Sequence, residues 1–283
     1  MLSYRHGFHA GNHADVLKHL LQVLIIDYLQ VKPTALHYID THAGAGVYDL
    51  RDDFARKNSE YRSGIDKLRG AASAPAKAAK LAAPLLRYLQ VIDACTAGDR
   101  HRYPGSPAIA LSLLRPQDRA TLFELHPKDC DSLIRHFYRR ARIELANGFS
   151  ALPGLLPPKE RRGLILIDPP YEDKTDYDTA IDCLKVCQRR FASGVYALWY
   201  PLLPSAVSQG FKNALIALSP GRYLYAALQV QPATGERGMY GSAMFVINPP
   251  WGLEGQLTEA LPALAALLGE GGQGQFELEA RLD

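Results

Sequence analysis

Four consecutive residues, Asp168, Pro169, Pro170 and Tyr171, follow directly on the apolar run at 164–167. A continuous apolar run of that length reads as a buried strand of a parallel sheet. The four residues then fall at its carboxyl edge, where open α/β sheets bind ligands. Their types suit one chemistry. An exocyclic aromatic amine is a poor nucleophile because its lone pair is delocalised into the ring. Two acceptors aimed at its two N–H groups draw that pair out of conjugation and direct it at an electrophilic methyl group. Asp168 offers a carboxylate oxygen, and the backbone carbonyl of Pro169 offers the second acceptor. The prolines, with fixed φ and no N–H, hold those carbonyls out of any helix. Tyr171 offers a flat face on which an extruded adenine could stack, a contact worth ~1–3 kcal/mol. The expectation is methyl transfer from the sulfonium of S-adenosylmethionine to the N6 amine of an adenine, with Asp168, Pro169 and Tyr171 as the catalytic set. A strand ending in a proline turn is the plainer reading of the same four residues, and the upstream sequence decides against it.

That upstream sequence is a short apolar strand at 36–39 running into Asp-Thr-His-Ala-Gly-Ala-Gly at 40–46. A strand followed by a glycine-rich turn opens a doubly wound nucleotide-binding sheet. Gly44 and Gly46 would let the backbone approach a cofactor closely, and Asp40 would hold a polar group at the strand end. Glu124 ends the next strand of the sheet, where an acid binds the ribose hydroxyls of a nucleoside. It stands 84 residues beyond Asp40, against a usual separation of ~20, and an inserted helical segment accounts for the excess. Residues 248–251, Asn-Pro-Pro-Trp, repeat the Pro-Pro pattern. They follow a strand that a hairpin should make antiparallel, which puts them on the edge away from the cofactor. His6, His9, His13 and His19 invite a metal reading, but no cysteine or carboxylate cluster completes a site, and no metal is expected. Tyr4, Arg5, His6 and Phe8 are expected to contact RNA or the active site.

These residues need elements to position them. Residues 12–30 read as an amphipathic helix, with Val16, Leu17, Leu20, Leu21, Leu24, Ile25 and Tyr28 at spacings of three and four. Asn12 is a good N-cap, and Asp15 is favourable in the first turn. Lys18, His19 and Gln22 fall on the polar side, and Lys18 is grouped with the N-terminal residues as substrate-binding. Residues 50–103 open with charge and become Ala-rich, which predicts an inserted helical subdomain. Strands are expected at 120–125, 141–149, 163–171, 195–201, 222–230 and 243–250, with helices between most of them, as at 128–140 and 176–191. That alternation predicts an α/β fold with a mostly parallel sheet. The glycine-rich loop at 232–242 should join the last two strands as a hairpin. The expected organisation is therefore an N-terminal segment and the start of the catalytic domain at 1–49, the insertion at 50–103, and the rest of the catalytic domain at 104–283.

With 47% hydrophobic and 22% charged residues, the 283-residue chain is ordinary for a globular protein with a sizeable core. No apolar run approaches the ~20 residues that span a bilayer, and no signal-peptide core is visible. The expected location is the cytoplasm. The four cysteines, Cys95, Cys130, Cys183 and Cys187, read as free thiols packed as small hydrophobes. A net charge of +3 does not by itself indicate nucleic acid. Its distribution is more suggestive: Arg100 and Arg102, then Arg135, Arg139, Arg140 and Arg142, then Arg161 and Arg162, then Arg189 and Arg190 form local clusters. Each alone reads as a solvated helix face, and together they suit contacts to phosphate.

The sequence also resembles a known family, the bacterial 23S rRNA adenine-N6 methyltransferases. The resemblance runs nearly end to end. It is carried by MLSYRHGFHAGNHADVLKH at the start, DTHAGAG, YPGSP at 103–107, ELHP at 124–127, RRGLILIDPPY, YALWYP and VINPPW. It implies a Rossmann-like class I S-adenosylmethionine-dependent methyltransferase sheet with an inserted helical subdomain, acting on 23S ribosomal RNA. It implies cofactor contacts at His19, His42, Ser106, Glu124 and the pair Asn147–Gly148, Asp168 as the catalytic acceptor, and Tyr4 near the target base. One position departs: the family more often has Asp where this chain has Asn147, and weaker cofactor binding is expected there. A monomer with no obligate protein partner is expected. Two other readings compete. A DNA adenine-N6 methyltransferase would use the same four-residue motif, but no separate DNA target-recognition domain is visible. A non-catalytic RNA-binding protein on a methyltransferase fold is opposed by the intact Asp40, Glu124 and Asp168.

Overall fold

The computed structural model describes residues 5–79, 81–218, 221–233 and 238–282. Tyr4, expected near the target base, lies outside the described residues. The first long element is α1 (His13–Gln30). Asn12 caps it, its side chain accepting from the backbone N–H groups of Ala14 and Asp15 at 2.9 and 3.0 Å. The apolar positions Leu17, Leu20, Leu21 and Ile25 are fully buried, each contributing ~1.5–3 kcal/mol. The polar side is buried too: Lys18, His19 and Gln22 are at most 4% exposed. This polar side faces inward, and Gln22 donates to the Ser106 carbonyl at 2.8 Å. Spacing alone finds such a stripe but not what it faces.

After β1 (His37–Asp40), the chain forms β2 (Val47–Asp49), α2 (Asp53–Asn58), α3 (Ile65–Ser73), α4 (Pro75–Ala78), α5 (Ala83–Cys95) and β3 (Arg102–Pro104). Strands β2 and β3 pair antiparallel, Tyr48 opposite Tyr103, and clasp the helical segment at its base. The helices do not build a separate core. Ile65, Leu68, Leu85, Tyr88 and Ile92 join the same buried cluster as α1.

The rest alternates strand and helix: α6 (Ser106–Leu113), β4 (Arg119–Glu124), α7 (Pro127–Phe137), β5 (Arg142–Leu145), α8 (Gly148–Leu155), β6 (Gly163–Ile167), α9 (Thr175–Arg190), β7 (Val195–Leu202), α10 (Ala206–Leu218), β8 (Tyr223–Gln229), β9 (Gly241–Ile247), α11 (Leu253–Leu268) and β10 (Gln275–Arg281). The large sheet runs β5-β4-β1-β6-β7-β9-β8-β10. Strands β5, β4, β1, β6 and β7 are parallel. Strand β9 is antiparallel to β7 and to β8, as the hairpin reading requires. From β1 the chain steps one way to β4 and β5, then returns to the other side for β6 and β7. The switch point of this Rossmann-like sheet therefore lies between β1 and β6. Strand β10 was not expected from the sequence. It pairs with β8 as an edge strand, and Phe276, Leu278 and Ala280 alternate with the charged Glu277, Glu279 and Arg281.

Period-two alternation splits the strands between two cores. Tyr38, Leu122, Leu164 and Leu166 pack on the side of α1, α5, α6 and α11. Ile39, Phe123, Ile165 and Ile167 pack on the side of α8, α9 and α10. Among the described residues, no helix is long and apolar enough to cross a membrane.

Candidate active site

A cavity of about 250 Å³ opens at the carboxyl ends of β1, β4, β5 and β6. His6, Lys18, His19, His42, Gly44, Ser106, Glu124, Asn147, Gly148 and Asp168 all line it. Segments from 6 to 168 converge because each strand of a parallel sheet delivers its C-terminal residue to the same edge.

Glu124 is held by two backbone donors, the N–H groups of His126 and Gly44, both at 2.7 Å. Burial nonetheless raises its pKa, so the carboxylate is a strained anion facing a cavity. Gly44 sits at φ +63°, and a Cβ there would meet the Tyr48 hydroxyl. His19 is fully buried, with Nδ1 2.8 Å from the Tyr103 hydroxyl. Burial lowers its pKa to about 3, so the imidazole is neutral at physiological pH. Its Nε2 is buried and has no hydrogen-bond partner among the described residues. An unpartnered ring nitrogen on the wall of a cavity fits a polar ligand group, and the amino-acid end of S-adenosylmethionine is of that kind. Burial likewise lowers His42 to about 4, and its Nδ1 lies 2.8 Å from the Thr41 hydroxyl.

The catalytic-motif carboxylate is paired inside the protein. Lys18 Nζ lies 2.5 Å from Asp168 Oδ2 and 2.8 Å from Asp15 Oδ1. Burial alone would lower the Lys18 pKa, but Asp15 and Asp168 together reverse that and raise it. Asp15, which the sequence reading treated only as a first-turn acid, is a hub. It also accepts from the Gly11 N–H at 2.9 Å and lies 3.0 Å from His6 Nε2. Burial pushes its pKa up, but His6, Lys18 and His19 hold it well below the usual range. Its spacing, three residues before Lys18 and four before His19, was the available signal.

Several expected residues play other parts. Asp40 does not reach the cavity: it is fully buried and accepts from the Tyr38 and Ser106 hydroxyls, both at 2.7 Å, and from the His42 N–H at 3.3 Å. It orders the turn and Ser106 rather than touching a ligand. Gly46, at φ +82°, serves packing, because a Cβ there would collide with Phe137 and Leu133 on α7. Tyr171 is not a free stacking platform. Its ring is buried 4.5 Å from that of Tyr177, its hydroxyl donates to the Trp199 carbonyl at 2.9 Å, and its backbone sits at φ +52°. Tyr171 and Pro169 adjoin the cavity without lining it, whereas Pro170 lines it. Asn147 spends its amide oxygen capping α8, accepting from the Phe149 N–H at 2.9 Å. Arg5 is drawn to Asp129 at 3.4 Å and lies over the Phe54 ring, at the edge of the site rather than inside it. Asn248, in the second Pro-Pro motif, follows antiparallel β9 on the far edge. Its amide donates to the Ala192 and Gly194 carbonyls at 2.7 and 2.8 Å, a structural role.

Residues 33–281 match the family model described as ribosomal RNA large subunit methyltransferase D, RlmJ. A protein of Haemophilus influenzae named ribosomal RNA large subunit methyltransferase J is 43% identical over 99% of this chain and 98% of its own length. Its namesake in Escherichia coli is 46% identical over 97% of this chain and 96% of its own. A crystal structure of a Legionella pneumophila protein, 33% identical, superposes with a TM-score of 0.87 over 96% of this chain and 98% of that one.

Proposed function

We propose, because this chain belongs to the RlmJ family of ribosomal RNA large subunit methyltransferases, that it methylates the N6 amine of an adenine in 23S rRNA, using S-adenosylmethionine. The observation that carries this reading is the convergence on one cavity of Asp168, at the end of β6, and Glu124, at the end of β4.

S-adenosylmethionine would supply an electrophilic methyl group on a sulfonium. Glu124 would accept hydrogen bonds from the two ribose hydroxyls. The neutral His19, donating from Nε2, would meet the amino-acid end of the cofactor together with His42 and Ser106. Asn147 and Gly148 would border its adenine, and a Cβ at Gly148 would collide with the Thr41 carbonyl beneath. On the substrate side, Asp168 would accept one N–H of the target amine and the Pro169 carbonyl the other, which frees the nitrogen lone pair for attack. As the N–CH3 bond forms and the S–CH3 bond breaks, the nitrogen becomes cationic. Asp168 then accepts the proton it sheds. Lys18, fixed by Asp15, places a positive charge against Asp168 beforehand. Tyr171 braces the Pro-Pro turn through Trp199, so base stacking there would require the ring to leave its cluster.

The protein is read as a cytoplasmic monomer. The test is methylation of deproteinised 23S rRNA and of duplex DNA with labelled cofactor, followed by nucleoside digestion. N6-methyladenosine from the RNA alone is expected. Label in DNA to an equal extent would shift the reading to a DNA enzyme. No label, with no cofactor binding by calorimetry, would favour a non-catalytic RNA-binding protein.

A further inference from the structure

Most of the arginine clusters are engaged inside the protein. Arg162 donates to the Thr34 and Leu29 carbonyls, both at 2.6 Å, and Arg190 to the Leu156 carbonyl at 3.1 Å. Arg140 donates to the Leu111 carbonyl, and Arg142 is neutralised by Glu144. Arg115 is tied to Asp118. A different set is left. Lys128, Arg135, Arg139 and Arg119 are exposed and form no ion pair among the described residues.

Their placement is ordered. Helix α7 leaves the cavity edge after Glu124 and runs back across the sheet to its opposite edge. Lys128, Ser132 and Arg135 are four and then three residues apart, so they share one face, and Arg139 follows in the turn after α7 ends at Phe137. Within the helix, Lys128 to Arg135 spans ~10 Å at 1.5 Å per residue. At its near end, Lys128 and Arg135 line a hollow that Arg5 also borders, beside the candidate active site. At its far end, Arg139 and Arg119 line a second, larger cavity between the C-terminal ends of α6 and α7. Beside it Tyr138 is 59% exposed, with the Arg139 guanidinium 5.2 Å over its ring. An exposed aromatic among unpaired cations is a poor solvent face but a good nucleic-acid face, offering phosphate contacts together with a stacking surface. Of the acids nearby, Asp129 is taken by Arg5 and Asp49 by Arg51; Asp52 borders the hollow, and Asp131, three residues after Lys128 and four before Arg135, shares their face, so Lys128, Arg135, Arg139 and Arg119 outnumber the two remaining acids.

We propose that this stripe, from Lys128 along α7 to Arg139 and Arg119, is a binding surface for the sugar-phosphate backbone of the RNA substrate, outside the cofactor cavity. It rests on the reading of the chain as an rRNA methyltransferase. It adds that the RNA is gripped along the α7 side of the sheet, away from its methylated base.

The test is the Arg119→Ala, Arg135→Ala, Arg139→Ala triple variant against the parent. It uses a long 23S rRNA fragment and the shortest hairpin the parent methylates. On the long RNA, KM should rise about tenfold or more, with kcat and S-adenosylmethionine affinity unchanged. The slope of log affinity against log salt should fall by roughly two to three, one per lost contact. The defect should shrink on the hairpin. An Arg222→Ala, Arg281→Ala control, with both arginines exposed beside β8 and β10, should match the parent. Should the triple variant melt early, Arg135→Gln alone carries the test, through its salt slope. Parent-like KM and slope in the variant, or an equal loss in the control, would overturn the proposal. A parent that methylates neither RNA would instead sink the functional reading beneath it.

Discussion

Lys18 donates from Nζ to Asp168 Oδ2 at 2.5 Å, across 150 residues of sequence. The first helix thereby supplies the counter-ion for the carboxylate at the end of β6. The same ammonium also bonds Asp15, so the position of Asp168 is set jointly by the sheet and by the N-terminal helix.

Asp168→Asn keeps the shape but replaces an anionic acceptor with an amide that can present a donor to the target amine. It also cannot take up the proton shed after transfer. Loss of a charge-assisted acceptor in the transition state should cost ~3–4 kcal/mol, a few hundredfold in kcat. Cofactor affinity should change little. Single-turnover methylation of 23S rRNA with saturating labelled cofactor measures it, and near-parental turnover would remove Asp168 from the mechanism.

Glu124→Ala should remove two charge-assisted bonds to the ribose, ~1.5–3 kcal/mol each, and raise the cofactor dissociation constant at least tenfold. The pH dependence has a definite sign. Burial raises the Glu124 pKa, so the carboxylate that binds is present above that raised value and protonates as pH falls through it. Affinity should weaken on acidification at a pH above the ordinary carboxylate range, and Glu124→Gln should abolish that dependence. Calorimetry across pH is the measurement, and a flat parental profile would show the ribose to be placed elsewhere.

Asn147→Asp should keep the cap on α8, because Asp is as good an N-cap as Asn. It adds a charged acceptor at the cavity wall. A cofactor bond strengthened by ~1 kcal/mol corresponds to roughly fivefold tighter binding. Equal affinity in the two proteins would mean that the oxygen is used by the helix alone.

Asn248→Ala should leave kcat near parental while removing the two bonds that close the loop at 192–194. The Ala192 carbonyl is exposed and the Gly194 bond half-buried, so the net loss should be ~0.5–1.5 kcal/mol per bond, which a denaturant melt should register. A loss of turnover without a loss of stability would reopen the second Pro-Pro motif as a catalytic candidate.

The parallel strands were legible because buried strands of this kind are continuous apolar runs, and Glu124 and Asp168 were legible because they end such runs. What escaped depends on contacts distant in sequence. Asp40 has the right type and place at a strand end, yet its carboxylate accepts from Ser106, 66 residues on, a contact that spacing cannot show. The glycines of the first turn are chemically alike, but Gly46 is required by the approach of Phe137, which spacing cannot show. Tyr171 was read from its exposed-motif context, whereas the packing of Tyr177 and Phe211 draws its ring inward. Strand β10 hid behind charged alternate positions, as edge strands do.

The β2–β3 clasp has a bearing on how this molecule can change over generations. The chain leaves the sheet region at Val47–Asp49 and returns at Arg102–Pro104, adjacent strands roughly 4.8 Å apart. Because closing a loop costs only logarithmically more as it lengthens, residues can be gained or lost between those strands with little strain on β1 or β4. Drift there is not unrestricted. Leu85, Tyr88 and Ile92 on α5 are buried with α1 and must stay apolar, while Leu86, Arg87 and Gln90 on its outer side are free of that requirement. The clasp thus separates inherited constraints, letting the outer surface of the insertion diversify while Glu124 and Asp168 keep their register.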